Sequence, residues 1–291
     1  MKKVKVICLI LIITVLTSCN SMNDNKRPTP EIGSAPVGTE NKEKEQNLSL
    51  NYSEAIEGIV QIKKTIGDAI KYGFADIDRN IIAEPVYDDS RFYIGASSAN
   101  SGFNEGLAPV KINGKWGYID LKGKVVIDFL FDDAWCFSEG LAAIKLNEEY
   151  GYINNEGKVV IDCIYISSYD FHQGVAVVQD NDNKFGFINR NGAWVIKPEY
   201  DAVDIGRFDY EWTKNNVVRI QKGDLWGTAK VLDGKVEIIV KPKYSKLYPY
   251  RDNKAQFVII HKDKDGDYTL NRTEGYIDEF GVEIKKWDIT D

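Results

Sequence analysis

The run with the clearest chemical potential is Asp263-Lys264-Asp265-Gly266-Asp267-Tyr268-Thr269-Leu270, closing at Glu274. Acids fall at positions 1, 3, 5 and 12 of a calcium-loop count, with Leu270 at the apolar position 8. Oxygen ligands at those spacings suit a hard cation, but Tyr268 stands at the sixth position, where the sharp bend needs glycine. The segment also lines up with the polar stretches Asn147-Glu148-Glu149 and Asp180-Asn181-Asp182-Asn183, so it reads as a long hairpin turn. The chain has two histidines, His172 and His261, and neither has a Ser or Cys in a strained turn beside it to build a nucleophilic triad. The acidic pairs Asp88-Asp89 and Asp132-Asp133 have the residue types of glycosidase carboxylates. They recur with a repeat, however, which marks them as turn residues. Cys136 and Cys163 lie in apolar contexts and read as two small buried side chains, with a bridge between neighbouring units left open. No G-x-x-x-x-G-K-[ST] or G-x-G-x-x-G element occurs. This inventory implies no catalytic residue, no metal and no cofactor, and the chain is expected not to be an enzyme.

The elements that would position any site begin with an export segment. In Met1–Cys19, Lys2, Lys3 and Lys5 precede an apolar run from Val6 to Leu16, the layout of a secretory signal and too short to span a bilayer comfortably. The ending Leu16-Thr17-Ser18-Cys19 resembles a bacterial lipoprotein lipobox. The resemblance implies a signal peptide over 1–18, removal of Cys8 with it, and lipid transfer to the thiol of Cys19. It also implies an exported protein anchored on a bacterial membrane, at the cell surface or on the periplasmic face. Cleavage takes the formal charge from −7 to −10, because three lysines and no acid leave. Acyl chains, not anionic headgroups, must then hold the protein on the membrane. A surface this acidic also argues against nucleic acid as a partner. Residues 19–51 comprise the lipidated cysteine and a stretch rich in Asn, Lys, Glu, Pro and Ser, expected to be a disordered tether.

The rest of the chain, 52–291, repeats itself. Phe-x-[Glu/Gln]-Gly recurs at 103–106, 137–140 and 171–174, each time followed by a short apolar strand. An aromatic-Gly-aromatic phrase follows, as in Trp116-Gly117-Tyr118, Tyr150-Gly151-Tyr152 and Phe185-Gly186-Phe187. With Gly73, Gly227 and Gly275 included, the glycine steps are 44, 34, 35, 41 and 48 residues. A Val-Val-Ile or Ile-Ile-Val strand and a Pro-x-Tyr phrase (Pro85, Pro198, Pro242) close the units. A period of this length signals a repeat fold rather than a single enzyme core.

Each unit reads as a three-stranded meander. Ala108, Val110 and Ile112 alternate with Pro109 and Lys111, predicting one buried face. Turns at Leu121-Lys122-Gly123, Asn155-Glu156-Gly157 and Arg190-Asn191-Gly192 place glycine where φ must be positive. The glycine after the aromatic residue leaves room for a neighbouring ring or strand to approach closely. Together these phrases resemble the WG (or KWG) repeat family of bacterial proteins from about Glu57 to Trp287. That resemblance implies an all-β domain of tandem WG-type repeats with no agreed enzymatic activity. The uneven steps favour an open, twisted array over propeller-like closure. The last unit carries Glu274 where its ring should be, as expected of a capping repeat with a polar outer face. The functional expectation is a lipid-anchored binding module of the cell envelope, facing a protein or a saccharide. The alternatives are a structural spacer of the envelope and, with least support, a divergent glycan-acting enzyme.

Overall fold

A computed structural model describes residues 48–50, 58–92, 102–205 and 216–290 of the chain. The expected signal peptide and Cys19 lie outside the described residues. Those described form six antiparallel sheets of four strands and no helix. Sheet 1 holds Leu48–Leu50, Ile59–Ile66, Ala69–Asp76 and Ile81–Tyr87; sheet 2 holds Asp89–Ser90, Leu107–Ile112, Lys115–Asp120 and Val125–Phe131. Sheet 3 holds Asp133–Ser138, Leu141–Leu146, Glu149–Asn154 and Val159–Tyr165; sheet 4 holds Ser167–Ser168, Val175–Gln179, Phe185–Asn189 and Trp194–Tyr200. Sheet 5 holds Ala202–Asp204, Val217–Lys222, Leu225–Leu232 and Lys235–Tyr244; sheet 6 holds Lys246–Leu247, Lys254–Lys262, Tyr268–Asp278 and Glu283–Ile289. Strands pair in chain order within every sheet.

The expected meander is present in every unit, with a short strand added at one edge. The chain leaves each Pro-x-Tyr phrase and pairs at once with the first long strand of the next unit, as Asp89 and Ser90 do with Lys111 and Val110. Two or three residues of this kind carry no periodicity, which is why the pattern alone does not reveal them. Leu48–Leu50 plays this part for sheet 1 by pairing with Ile62, Lys63 and Lys64. The strand Leu48–Leu50 falls within the stretch assigned above to the tether (19–51).

The aromatic-Gly phrase sits on the middle long strand, and its glycine has a packing reason. A Cβ on Gly151 would stand 2.6 Å from the Ile161 carbonyl oxygen and 2.8 Å from both the amide nitrogen and the sulfur of Cys163. The third strand crosses the glycine here through a register shift between Tyr150 and Tyr152. The same crossing meets Gly73, Gly117, Gly186 and Gly227, and at Gly275 the third strand comes as close in regular register, so the close approach is by a strand backbone. The prolines of Pro-x-Tyr lie in this bulged edge strand, where no ladder donor is needed.

Burial differs from the one-sided expectation. In Leu141–Leu146, Ala142 and Ile144 pack with sheet 2 in a cluster that includes Trp116, Tyr118 and Phe131. Leu141 and Ala143, on the opposite face, pack with Phe171, Ala176 and Val178 of sheet 4. An inner sheet is a filling between two others, so both faces of its first long strand are apolar. Five such clusters join sheets 1 to 2, 2 to 3, 3 to 4, 4 to 5 and 5 to 6. Among the described residues no core cluster joins sheet 6 back to sheet 1, and the array is open.

Polar clamps repeat at the same intervals. The Glu105 carboxylate accepts the Gly140 N–H at 2.9 Å, and the Glu139 carboxylate accepts the Gly174 N–H at 2.8 Å. Tyr118 donates to the Trp135 carbonyl and Tyr152 to the Tyr169 carbonyl, both at 2.7 Å. Each tyrosine also meets the phenylalanine of the following unit, with ring centroids 5.0 Å apart for Tyr118–Phe137 and 4.9 Å for Tyr152–Phe171. Such pairs contribute about 1 kcal/mol each beyond the apolar area they bury.

Candidate functional site

The residues singled out by type resolve mostly into parts of this scaffold. Asp263 Oδ1 accepts the N–H groups of Asp265 and Asp267 at 2.9 Å. Asp120, Asn154, Asp180, Asn189 and Asp278 close their turns in the same way. Glu274 lies on the ladder itself, taking Arg272 Nε at 2.7 Å and Gln256 Nε2 at 3.4 Å. The Asp263–Glu274 segment is a hairpin with an Asx-type turn, as the alignment with the other turns implies.

The acidic pairs are inter-unit fasteners. Asp88, Asp132 and Asp201 follow the closing aromatic residues Tyr87, Phe131 and Tyr200 of units 1, 2 and 4, and pair with Lys71, Lys115 and Lys184. Each also accepts a backbone N–H from the next unit's hairpin: Asn113 at 2.7 Å, Asn147 at 2.9 Å and Gly223 at 2.7 Å. The paired lysine and these N–H groups hold all three carboxyls below the usual carboxylate range. Where the lysine position carries Glu149, the aspartate position carries Ile166, so the pair is present or absent as a unit. His172 Nε2 bonds Asn216 Oδ1 at 2.8 Å, and His261 Nε2 bonds Thr273 Oγ1 at 2.9 Å. Cys136 and Cys163 are both buried, and no disulfide bridges them. Cys163 belongs to the sheet 2–3 core, and Cys136 lies 3.6 Å from the Gly102 carbonyl oxygen, its pKa pushed up by burial.

A cluster at the short-strand edge was not legible as a motif. Arg91 stacks between Trp116 and Trp135, 4.8 and 4.1 Å from their ring centroids, pairs with Asp133, and donates to the Ala134 carbonyl at 3.1 Å. It ties sheet 2 to sheet 3. Asp170 stands one unit further on, at the position that Cys136 holds in sheet 3 and Gly102 in sheet 2, one residue before the phenylalanine. Burial pushes its carboxyl up to about 7, opposed by the Arg91 charge. Its charge in turn acts on Tyr118, Tyr152 and Cys136.

The far side of sheet 6 carries rings and hydrogen-bonding groups in contact with solvent. Leu247, Ala255, Phe257 and Ile277 point toward sheet 5 and its Val240 and Tyr244. The alternate residues point away, and the ladder aligns them: Gln256 with Tyr276 and Lys285, Val258 with Glu274 and Trp287. In sheet 3 the matching positions to Lys254, Gln256 and Tyr276 are Leu141, Ala143 and Tyr152, all sealed under sheet 4. Sheet 6 thus replaces the apolar pair by Lys and Gln but keeps the ring. Two adjoining cavities share Tyr248 on this side. One, of about 360 Å³, is lined by Lys246, Val258, Ile260, Leu270 and Arg272 among others; the second, of about 390 Å³, by Arg251, Asp252, Lys254, Gln256 and Tyr276. Tyr248 is 45% exposed, Tyr276 and Trp287 are half-buried, and the latter two rings lie 5.9 Å apart.

The family comparison agrees with the repeat organisation. The model of the WG containing repeat matches residues 72–95, 98–116, 116–150, 150–184, 185–226 and 232–259. No curated protein matches the sequence. Among solved structures, BamB from Moraxella catarrhalis is similar at 9% identity and a TM-score of 0.37, covering 78% of this chain and 79% of that one. Hsv2 from Kluyveromyces lactis is similar at 9% identity and a TM-score of 0.36, covering 76% and 71%. The WD40 beta propeller domain of Doa1 is similar at 12% identity and a TM-score of 0.29, covering 69% of each chain.

Proposed function

Because the chain belongs to the WG containing repeat family, we propose that it is a binding module whose ligand docks on the outward side of sheet 6. The observation that carries this is the pair of adjoining open depressions around Tyr248 on the outward side of sheet 6. Inner faces are committed to neighbours; this face presents rings and hydrogen-bonding groups side by side, the mix found in ligand sites. Attachment is to a bacterial membrane, through acyl chains on Cys19 after removal of residues 1–18. The partner is an envelope protein or saccharide, and nucleic acid is disfavoured by a formal charge of −7. The module performs no catalysis: its acids fasten turns, and both histidines are held by side-chain hydrogen bonds within the scaffold.

The test is a pull-down from solubilised envelope with the purified chain, with proteins and glycans both scored. Saturable capture that Tyr248→Ala removes supports the module and its face. A blank for the wild-type chain moves the reading to a structural spacer. Labelling with radioactive palmitate, lost on Cys19→Ser, tests the anchor; unchanged labelling of the variant refutes it.

A further inference from the structure

We propose that the outward face of sheet 6 binds an acidic polysaccharide, one carrying a carboxylate on its sugar rings. This rests on the binding-module reading and names its ligand. A polar cap alone would need only to be soluble, and Lys254 and Gln256 in place of Leu141 and Ala143 achieve that. The face nevertheless keeps three rings in partial contact with solvent, Tyr248, Tyr276 and Trp287, the last two with centroids 5.9 Å apart on neighbouring strands. Flat rings of this kind suit the C–H faces of sugar rings, with the Tyr O–H free to hydrogen-bond at the rim.

The polar groups around them are already fixed. Glu274 accepts from Arg272 at 2.7 Å and from Gln256 at 3.4 Å, so guanidinium, carboxylate and amide are linked in one chain of donors and acceptors. Groups held before binding lose little freedom on binding, which favours specific recognition of hydroxyl-rich ligands.

Charge selects among saccharides. The protein as a whole is acidic, at −7, yet the cavities are lined by Lys246, Arg251, Lys254 and Arg272 against Asp252 and Glu274. Glu274 is satisfied by Arg272, which leaves a net positive site on a negative body. Lys254 also lies 5.5 Å from the Tyr276 centroid, so cation and ring meet one ligand together. The cations are spread along both cavities rather than gathered at one point. That matches single negative charges on successive rings better than one multiply charged group.

The experiment measures affinity of the intact chain for polygalacturonate, with dextran as neutral saccharide and polyglutamate as carboxylate polymer without sugar. Polygalacturonate is expected to bind saturably, and dextran and polyglutamate at least tenfold more weakly. Tyr248→Ala and Tyr276→Ala are each expected to lose tenfold or more, and Lys254→Gln to flatten the salt dependence. Tyr248 is 45% exposed, so its variant tests the ligand without testing the fold, and an unchanged thermal transition verifies this. No binding of polygalacturonate, equal binding of polyglutamate or of dextran, or full affinity in the folded Tyr248→Ala chain overturns the proposal. Envelope capture that depends on Tyr248 while polygalacturonate fails to bind would sink the saccharide alone and leave the module standing.

Discussion

Replacing Asp170 by Asn should stabilise the protein near neutral pH and do nothing in acid. Burial raises the Asp170 carboxyl from its ordinary value of 3.8 to about 7, with the Arg91 charge offsetting part of the cost of ionisation. The folded state therefore holds a proton that the unfolded chain releases between those two values. A native state that binds more protons loses stability as pH rises, so this residue costs nothing below about pH 4 and its full penalty above about pH 7. At ~1.4 kcal/mol per pH unit the ceiling is about 4 kcal/mol. Asp170 keeps some contact with solvent, and screening reduces the expected gain to about 2 kcal/mol. For a folded body of this size that is a rise of about 4–8 °C in melting temperature. Thermal melts of both proteins from pH 3.5 to 8.5 should coincide in acid and separate through pH 4–7. Subtracting the two curves cancels every other titrating group. A constant difference at all pH values, or a variant less stable at pH 8, would refute the reasoning and show that the carboxylate is solvated or paired.

Gly151→Ala should cost about 3 kcal/mol or more, because its Cβ would overlap the Ile161 carbonyl and Cys163; a chemical-denaturation midpoint equal to wild type would contradict the close approach. Asp132→Ala should cost about 1 kcal/mol through loss of the Asn147 N–H bond, with little from Lys115, whose side chain is 46% exposed. Because the Asp132 carboxyl is held below its ordinary 3.8, that stabilisation is present above this value and disappears as pH falls below it, so the variant and wild type should converge in acid. Tyr118→Phe should cost about 1 kcal/mol by removing its bond to the Trp135 carbonyl, and a double-mutant cycle with Phe137→Leu should show coupling between the two rings. Cys136 and Cys163 should resist thiol reagents until unfolding, scored by peptide mapping; rapid native labelling of either would deny their burial.

Much of the scaffold is legible because the repeat states each rule several times. Gly123, Gly157 and Gly192 mark their hairpin turns at φ between 75° and 78°, and the aromatic-Gly phrase marks the strand crossing. Other features are hidden for definite reasons. Asp89–Ser90 is too short to carry a period, so the fourth strand emerges only from pairing. Two-sided burial of Leu141–Ile144 is masked because small alanines fill the positions that a one-sided reading assigns to solvent or turn. The Arg91 cluster joins residues whose neighbours in sequence say nothing of each other, since Trp116 and Trp135 come from different units. The sheet 6 face is obscured because its long hairpin, from Lys262 to Tyr268, shifts the last unit out of step with the others. Without the ladder, Lys254 and Gln256 cannot be equated with Leu141 and Ala143.

That equation also explains why a site would arise at this end of the array. Within sheets 2 to 5, the buried positions of the first and middle long strands answer to two constraints: the hydrogen-bonded ladder and the apolar contact with a neighbouring sheet. A substitution such as Ala143 to Gln would leave an amide between sheets without a partner, at a cost of about 1–3 kcal/mol. On the outward side of sheet 6 the second constraint is absent, and polar groups cost nothing there. Among the described residues no further sheet covers the rings on this face. Tyr276 remains nonetheless, Trp287 is placed beside it, and Tyr248 borders both cavities. Polar replacement is what a cap requires, whereas retained and added aromatic surface is what a ligand requires. The face satisfies both demands, and the second is the one that binding measurements with Tyr248→Ala isolate.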